Sequence, residues 1–135
     1  GEMVFWKLAM KPGRPLVYGR IGACHFFGLP GNPVAAMVAF RQFVRDVLQI
    51  LMGQAPKSAQ TFRATCLTPL KKAPGRTEFQ RGILSRDVNG ELVVHSVGDQ
   101  GSGILSSMSR ANCFIVLPLH QGNVEAGTSV EVQPF

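Results

Sequence analysis

The chain has little cysteine and no pairing among what it has. Its three cysteines, Cys24, Cys66 and Cys113, are widely spaced, with no Cys-x-x-Cys pair and no Cys/His array. Neither a zinc site nor a disulfide framework is expected. Each thiol falls in an apolar, strand-like run and is expected to be free and buried, which suits a reducing, cytoplasmic setting. Uninterrupted apolar length is also missing: Val34–Leu51 is broken by Arg41, Arg45 and Asp46, so no membrane span is expected. No basic-then-apolar leader with a small-residue cleavage site is present, so no secretory signal is expected. Gly1-Glu-Met-Val-Phe-Trp6 reads like the middle of a strand region, and the chain is expected to be a piece of a longer protein. His25, His95 and His120 are scattered, and no Ser-His-Asp, Cys-His or paired-acid arrangement argues for nucleophilic or acid–base catalysis. Positive charge is absent from the last 25 residues, which carry only Glu125 and Glu131 as charged groups.

What is present is a 135-residue chain, 45% hydrophobic, enough for one ordinary domain or two small units. The net charge is +6, from 14 Lys and Arg against 8 Asp and Glu. A basic surface aids solubility and also attracts an anionic substrate. No basic cluster interleaved with aromatics and no binding motif points to nucleic acid.

The punctuation divides the chain in two. Val4–Met10, Leu16–Gly19 and Ala23–Phe27 read as strands, interrupted by Pro12 to Pro15 and ended by Gly28. A helix is expected from Pro33 to about Met52, with Met37, Phe40, Val44, Val47, Leu48 and Leu51 as its inward stripe and Gly53 as its stop. Strands, a glycine-rich turn and a helix form the tail of an α/β domain, residues 1–53. Residues 54–58 are a short polar linker. In residues 59–135, Gln60–Leu67, Thr77–Arg86, Glu91–Val97, Cys113–Leu117 and Thr128–Val132 read as short strands, which predicts a small all-β barrel. Asn89-Gly90 is expected to form a type I′ hairpin turn, and Ser102–Ser109 a short helical turn with Ile104, Leu105 and Met108 facing inward.

Anion-holding groups recur at the turns. In Gly28-Leu-Pro-Gly-Asn-Pro-Val34, Asn32 is a good N-cap and Pro33 a good first helical residue, so free helix N–H groups are expected to face a ligand, with Gly31 in the turn. Lys11-Pro-Gly-Arg-Pro15 holds Lys11 and Arg14 on a backbone restricted by its prolines, though a turn with two solvated charges has the same spelling. Arg76 follows Pro74-Gly75, and its guanidinium suits a tetrahedral oxyanion. Arg81 shares a strand face with Phe79 and Ile83, where an arginine either snorkels or pairs. Ser102, in Asp99-Gln-Gly-Ser-Gly103, is placed either to cap a helical turn or to offer its hydroxyl to an oxyanion.

Taken together, Phe5-Trp-Lys-Leu-Ala-Met-Lys-Pro-Gly-Arg-Pro15, Gly28–Val34, Pro74-Gly-Arg-Thr-Glu-Phe-Gln-Arg81, Gly98-Asp-Gln-Gly-Ser102, Asn112-Cys-Phe-Ile-Val-Leu117 and Gly122-Asn-Val-Glu-Ala-Gly127 resemble the C-terminal part of the MoeA family. That family, the molybdopterin molybdenumtransferases, is similar to the E domain of gephyrin. The resemblance covers essentially the whole chain. It implies the end of a molybdopterin-binding α/β domain followed by a C-terminal β-barrel domain. It also implies insertion of molybdate into adenylated molybdopterin with release of AMP, assisted by a divalent cation such as Mg2+ whose ligands lie in the missing upstream part. By position, Lys11, Arg14 and Pro15 would line the molybdate pocket, Arg76 and Ser102 would approach it from the barrel, and Gly31 and Asn32 would shape its floor.

The resemblance further implies a homodimer with the site shared between protomers, and contact with the molybdopterin-adenylating protein. Neither nucleic acid nor membrane is an expected partner. Three positions depart from the pattern: Arg14 where lysine is common, Ala35 where serine often stands, and Asp99 where histidine is frequent. With the family's first domains missing, the 135 residues alone are expected to lack full insertion activity. The alternative is a non-catalytic protein-binding module, since gephyrin-like relatives dock peptides at the border of these same two domains.

Overall fold

The structure, a computed structural model, describes residues 2–7, 10–11, 15–98 and 105–135. Four strands come first: β1 (Glu2–Lys7), β2 (Met10–Lys11), β3 (Pro15–Ile21) and β4 (Cys24–Gly28). β1, β3 and β4 form an antiparallel sheet in that order. The expected strand Val4–Met10 is therefore two, because Met10 pairs with a different sheet. Gly19 lies opposite Phe26, whose ring occupies the space a Cβ would need. Cys24 opens β4 beside the Gly22-Ala23 turn and is exposed, contrary to the buried thiol expected from its apolar neighbours. A hairpin tip leaves its first residue in solvent whatever the local composition.

One continuous helical stretch follows, made of α1 (Pro33–Ala39), a π-helical turn (Phe40–Val44) and α2 (Arg45–Leu51). Its start is as expected. Asn32 is extended (φ −74°, ψ 126°), its Oδ1 accepts from Val34 N at 3.0 Å and Ala35 N at 3.2 Å, and Pro33 needs no partner. Its end is a Schellman motif: Gly53 at φ +80°, Gly53 N donating to Ile50 O and Gln54 N to Gln49 O, both at 2.9 Å. Asn32→Ala is expected to lower stability by about 1 kcal/mol in urea unfolding. An unchanged midpoint would mean that the cap contributes nothing.

The buried face of the helix differs from the expected one. Val34, Ala35, Val38, Ala39 and Val44 are buried, whereas Met37, Phe40, Leu48 and Leu51 of the expected stripe are exposed. Two causes act together. The π turn lengthens the hydrogen-bond step and offsets the second half of the helix from the first. Alanines at 35 and 39 also let α1 approach its support more closely than the bulkier face could.

The barrel strands are β5 (Phe62–Cys66), β6 (Thr77–Arg86), β7 (Leu92–Ser96), β8 (Cys113–Leu117) and β9 (Ser129–Pro134), with α3 (Leu105–Arg110) before β8. The ring runs β6-β7-β5-β9-β8 and closes through β8 onto β6, so these five strands form a barrel, antiparallel except for β5–β7. β6 makes closure possible by being long. Glu78–Gly82 pair with β8 and Gly82–Arg86 with β7, so Gly82 belongs to both ladders.

Alternation fills the interior. Ala64 and Cys66, Cys113, Ile115 and Leu117, and Val130 and Val132 point inward with Leu70, Val94 and Val124. The outer face carries Phe114 and Phe79, which pack on Val34 and Val38 of α1 and Met108 of α3. Phe114 also meets Phe135 edge to face at 4.7 Å, and Gln42 Nε2 donates to Gln133 Oε1 at 2.6 Å, fastening the helix to β9. Of the residues expected to face inward from the short helical turn, Met108 is buried. Ile104 and the side chain of Leu105 lie outside the described residues.

The β6–β7 turn is not type I′. That turn needs positive φ at both central residues, and only Gly90 has it, at +81°. Gly90 N donates to Asp87 O at 3.0 Å and Asp87 N to Glu91 O at 2.9 Å, a type I turn closed by a glycine bulge. Asp87 Oδ1 decides the matter by accepting from Asn89 N at 2.9 Å and Glu91 N at 3.0 Å, which holds Asn89 at negative φ.

Cys66 and Cys113 are buried and unpaired by disulfide. Burial pushes the Cys113 thiol up from 9.0 to about 11, against smaller opposing hydrogen bonds from the Leu84 and Gly82 backbone. A raised folded-state value favours the protonated native form. Its contribution is therefore complete below the unfolded-state value of 9.0 and is lost as pH rises toward 11. We expect stability to fall by up to about 2–3 kcal/mol across that window, and Cys113→Ala to flatten the dependence. Urea midpoints against pH check this; identical slopes in both proteins would refute it.

Candidate functional site

The site is built around the first residues of β6. β7 uses one edge of β6 only from Gly82 onward, and β8 occupies the other edge from Glu78. The edge beside Thr77 and Glu78 is thus open, and β2 fills it in parallel, with Met10 level with Thr77 and Lys11 with Glu78. This ladder brings exposed Lys11 alongside the segment that opens with exposed Arg76, within one chain. Neither side-chain charge has a hydrogen-bond or ion-pair partner among the described residues. Two solvated cations presented at one sheet edge are groups that can hold a small oxyanion.

The turn carrying Arg76 is pinned from below. Gly75, at φ +116°, donates its N–H to Leu119 O at 2.8 Å. Lys72, only 5% exposed, sends Nζ to Ala73 O at 3.1 Å, Gln121 O at 2.9 Å and Leu119 O at 3.5 Å, while its N–H donates to Asn123 Oδ1 at 2.9 Å. A buried ammonium with three carbonyl acceptors has its hydrogen-bonding capacity met without a carboxylate. Sequence reasoning missed this lysine because nothing local separates it from its solvated neighbour Lys71. It also missed Glu78, whose Oε2 accepts from Gln80 Nε2 at 2.8 Å and which stands level with Lys11. The only signal for Glu78 is its place at the start of an alternating strand.

Gly31 and Asn32 do not offer the free helix amides expected of them. Val34 N and Ala35 N are taken by Asn32 Oδ1, Ala36 N by Asn32 O at 2.9 Å, and Pro33 has no N–H. The helix start is closed by its own cap, which leaves Gly31 and Asn32 to shape the turn. That turn leads into Val34, which packs against Met108 of α3. Pro15 begins β3. Arg14, Asp99 and Ser102 lie outside the described residues.

Of the two courses expected for Arg81, snorkelling or pairing, the structure shows the second: it is 1% exposed and has interaction partners. Its carbonyl accepts from Val97 N at 3.3 Å, and Arg110 Nη2 donates to Val97 O at 3.0 Å. Of the histidines, His25 Nδ1 lies 2.7 Å from Tyr18 Oη, a structural pair in the three-stranded sheet. Among the described residues no three His, Cys, Asp or Glu side chains gather as metal ligands, and no helix is long and apolar enough to cross a membrane.

The comparisons with known proteins bear on this geometry. The profile of the MoeA C-terminal region (domain IV) matches residues 63–135, and that of a probable molybdopterin binding domain matches residues 1–50. The molybdopterin molybdenumtransferase of Haemophilus influenzae is 46% identical over 136 residues, covering 100% of this chain and 34% of the relative. Molybdopterin molybdenumtransferase 1 of Mycobacterium tuberculosis is 33% identical, covering 98% of this chain and 32% of the relative.

Two solved structures agree with the fold. The molybdopterin biosynthesis moeA protein of Pyrococcus horikoshii superposes with a TM-score of 0.77 at 27% identity, over 98% of this chain and 32% of that one. A molybdenum cofactor biosynthesis protein from Pyrococcus furiosus gives 0.77 at 32% identity, over 98% and 45%. The chain spans about a third of the length of the curated relatives it matches. With the barrel matched from end to end and the α/β tail matched ahead of it, this chain belongs to the MoeA family.

Proposed function

We propose that these residues form the molybdate-side part of a molybdenum insertase in molybdenum cofactor biosynthesis, which transfers molybdate into adenylated molybdopterin and releases AMP. The observation that carries this reading is the β2–β6 ladder, which sets Lys11 beside the turn of Arg76. Molybdate is a tetrahedral dianion. An ammonium and a guanidinium from two directions neutralise it, and the fork of Arg76 orients two of its oxygens. Arg14 and Ser102 would complete the donor set, with Pro15, Gly31 and Asn32 shaping the pocket.

The divalent cation, Mg2+ in this reading, would be held by the part of the MoeA relatives that this chain does not span. The expected homodimer would add to the site rather than unite Lys11 with Arg76, which already share a chain. The setting would be cytoplasmic, with the molybdopterin-adenylating protein as the source of substrate.

One observation favours the protein-binding alternative: the outward apolar stripe Met37, Phe40, Leu48 and Leu51. A helix apolar on two faces is suited to being covered on both. The deciding experiment is molybdenum insertion by a full-length MoeA protein carrying these residues, with Lys11→Ala and Arg76→Ala. Loss of insertion in a folded protein supports the enzyme reading. Intact insertion with loss of a protein partner supports the other.

A further inference from the structure

The barrel, the linker and the helical stretch line a basic cavity on the side where β9 ends. It has a volume of about 320 Å³ and is lined by Arg41, Arg45, Gln49, Lys57, Gln60 and Phe135, among others. Arg41 comes from the π turn, Arg45 and Gln49 from α2, and Lys57 from the linker. The volume lies in the range of small-molecule sites. Its lining holds three cations and no carboxylate.

The polar groups here are left unsatisfied. Arg45 Nε and Gln49 Oε1 are sealed from solvent and have no hydrogen-bond partner. Asp46 Oδ1 lies 3.7 Å from Arg45 Nε, an ion pair too long to be a hydrogen bond, and neither atom has a hydrogen-bond partner. Native proteins seldom leave such atoms unpaired without a ligand, water or ion to complete them. Arg41 is held with its guanidinium 5.2 Å above the Phe135 ring, so its face is occupied while its N–H edge stays available. Burial and the positive charge of Arg45 both disfavour the charged form of Arg41, a repulsion that an anion would relieve.

The geometry points to a second anion site, formed by Arg41, Arg45 and Lys57, that takes the phosphate group of a small phosphorylated molecule. The site shares no residue with Lys11 and Arg76, and it stands or falls independently of the insertase reading.

The test is calorimetric titration of the 135-residue chain with ribose 5-phosphate and with inorganic phosphate at low salt. We expect saturable binding of both, weakened about tenfold or more by Arg45→Gln and by Arg41→Ala. Lys57→Glu, in the exposed linker, should give the same loss without touching the core. Lys11→Ala and Arg76→Ala should leave the ribose 5-phosphate event that depends on Arg45 and Lys57 unchanged, even where they remove a separate inorganic-phosphate event at their own turn. Three results would overturn the proposal: no saturable binding of ribose 5-phosphate, ribose 5-phosphate binding that survives Arg45→Gln and Lys57→Glu together, or ribose 5-phosphate binding abolished by Lys11→Ala or Arg76→Ala.

Discussion

Arg76→Ala, in a full-length MoeA protein carrying these residues, is expected to lower molybdenum insertion about a hundredfold while the barrel stays folded. The size follows from removing one preorganised donor from an oxyanion, which costs about 10²–10³ in rate in well-studied sites. Folding should be spared because Arg76 is exposed and makes no contact that the barrel needs. The turn that presents it is held by Gly75 and Lys72 and survives the change. Arg76→Lys should recover part of the loss, since charge returns without the bidentate fork. Lys11→Ala should act in the same direction. The double variant should fall short of the product of the two, because in the proposed site both groups would grip one ion. Insertion measured against molybdate concentration checks this. Unaltered insertion at limiting molybdate in both single variants would remove these residues from the site.

Gly82→Val should destabilise the barrel by about 3 kcal/mol, seen as a lower urea midpoint or as failure to fold. A Cβ on Gly82 would stand 2.9 Å from Ile115 Cδ1 and 3.0 Å from both Ile115 Cγ1 and Val94 Cγ2. Valine adds two further methyls to the same crowded point. The usual escape, a backbone shift, is closed, because Gly82 is paired with Ser96 on one side and Cys113 on the other. Shifting one ladder breaks the second. Ile115→Val should recover part of the loss by shortening the side chain that the new methyls meet. A Gly82→Val protein as stable as the parent would show that the barrel interior is looser than this packing implies.

Both predictions turn on β6, a strand that is legible in the sequence. Its bounds, Thr77–Arg86, and those of β8, Cys113–Leu117, are the ones that alternation and flanking turn residues suggest. The helix start is legible for the same kind of reason: Asn32 and Pro33 act on their immediate neighbours. The inward helix face is not, because the helix is apolar on more than one side and a π turn divides it. The turn at Asn89-Gly90 departs from its expected type because Asp87, two residues upstream, competes for the same backbone amides. Cys24 departs from local expectation, an apolar-looking site that is exposed, while Arg81 takes the paired and buried of the two courses open to it. Burial depends on what the rest of the chain brings over a residue, which neighbours in sequence do not record.

From the order of residues alone came the succession of an α/β tail and a barrel, the cap and stop of the helix, the strands of the barrel, and the turn before Arg76. These are set by contacts a few residues long, where backbone sterics and local hydrogen bonds dominate. Only the folded chain decided that β2 would leave its own sheet to lie along β6. It alone decided that Asn32 would consume the helix amides, and that Arg41 and Arg45 would face Lys57 across a cavity. Each of these depends on which edges and surfaces remain unoccupied once the long-range pairings have closed the barrel, a property of the whole chain and not of any segment in it.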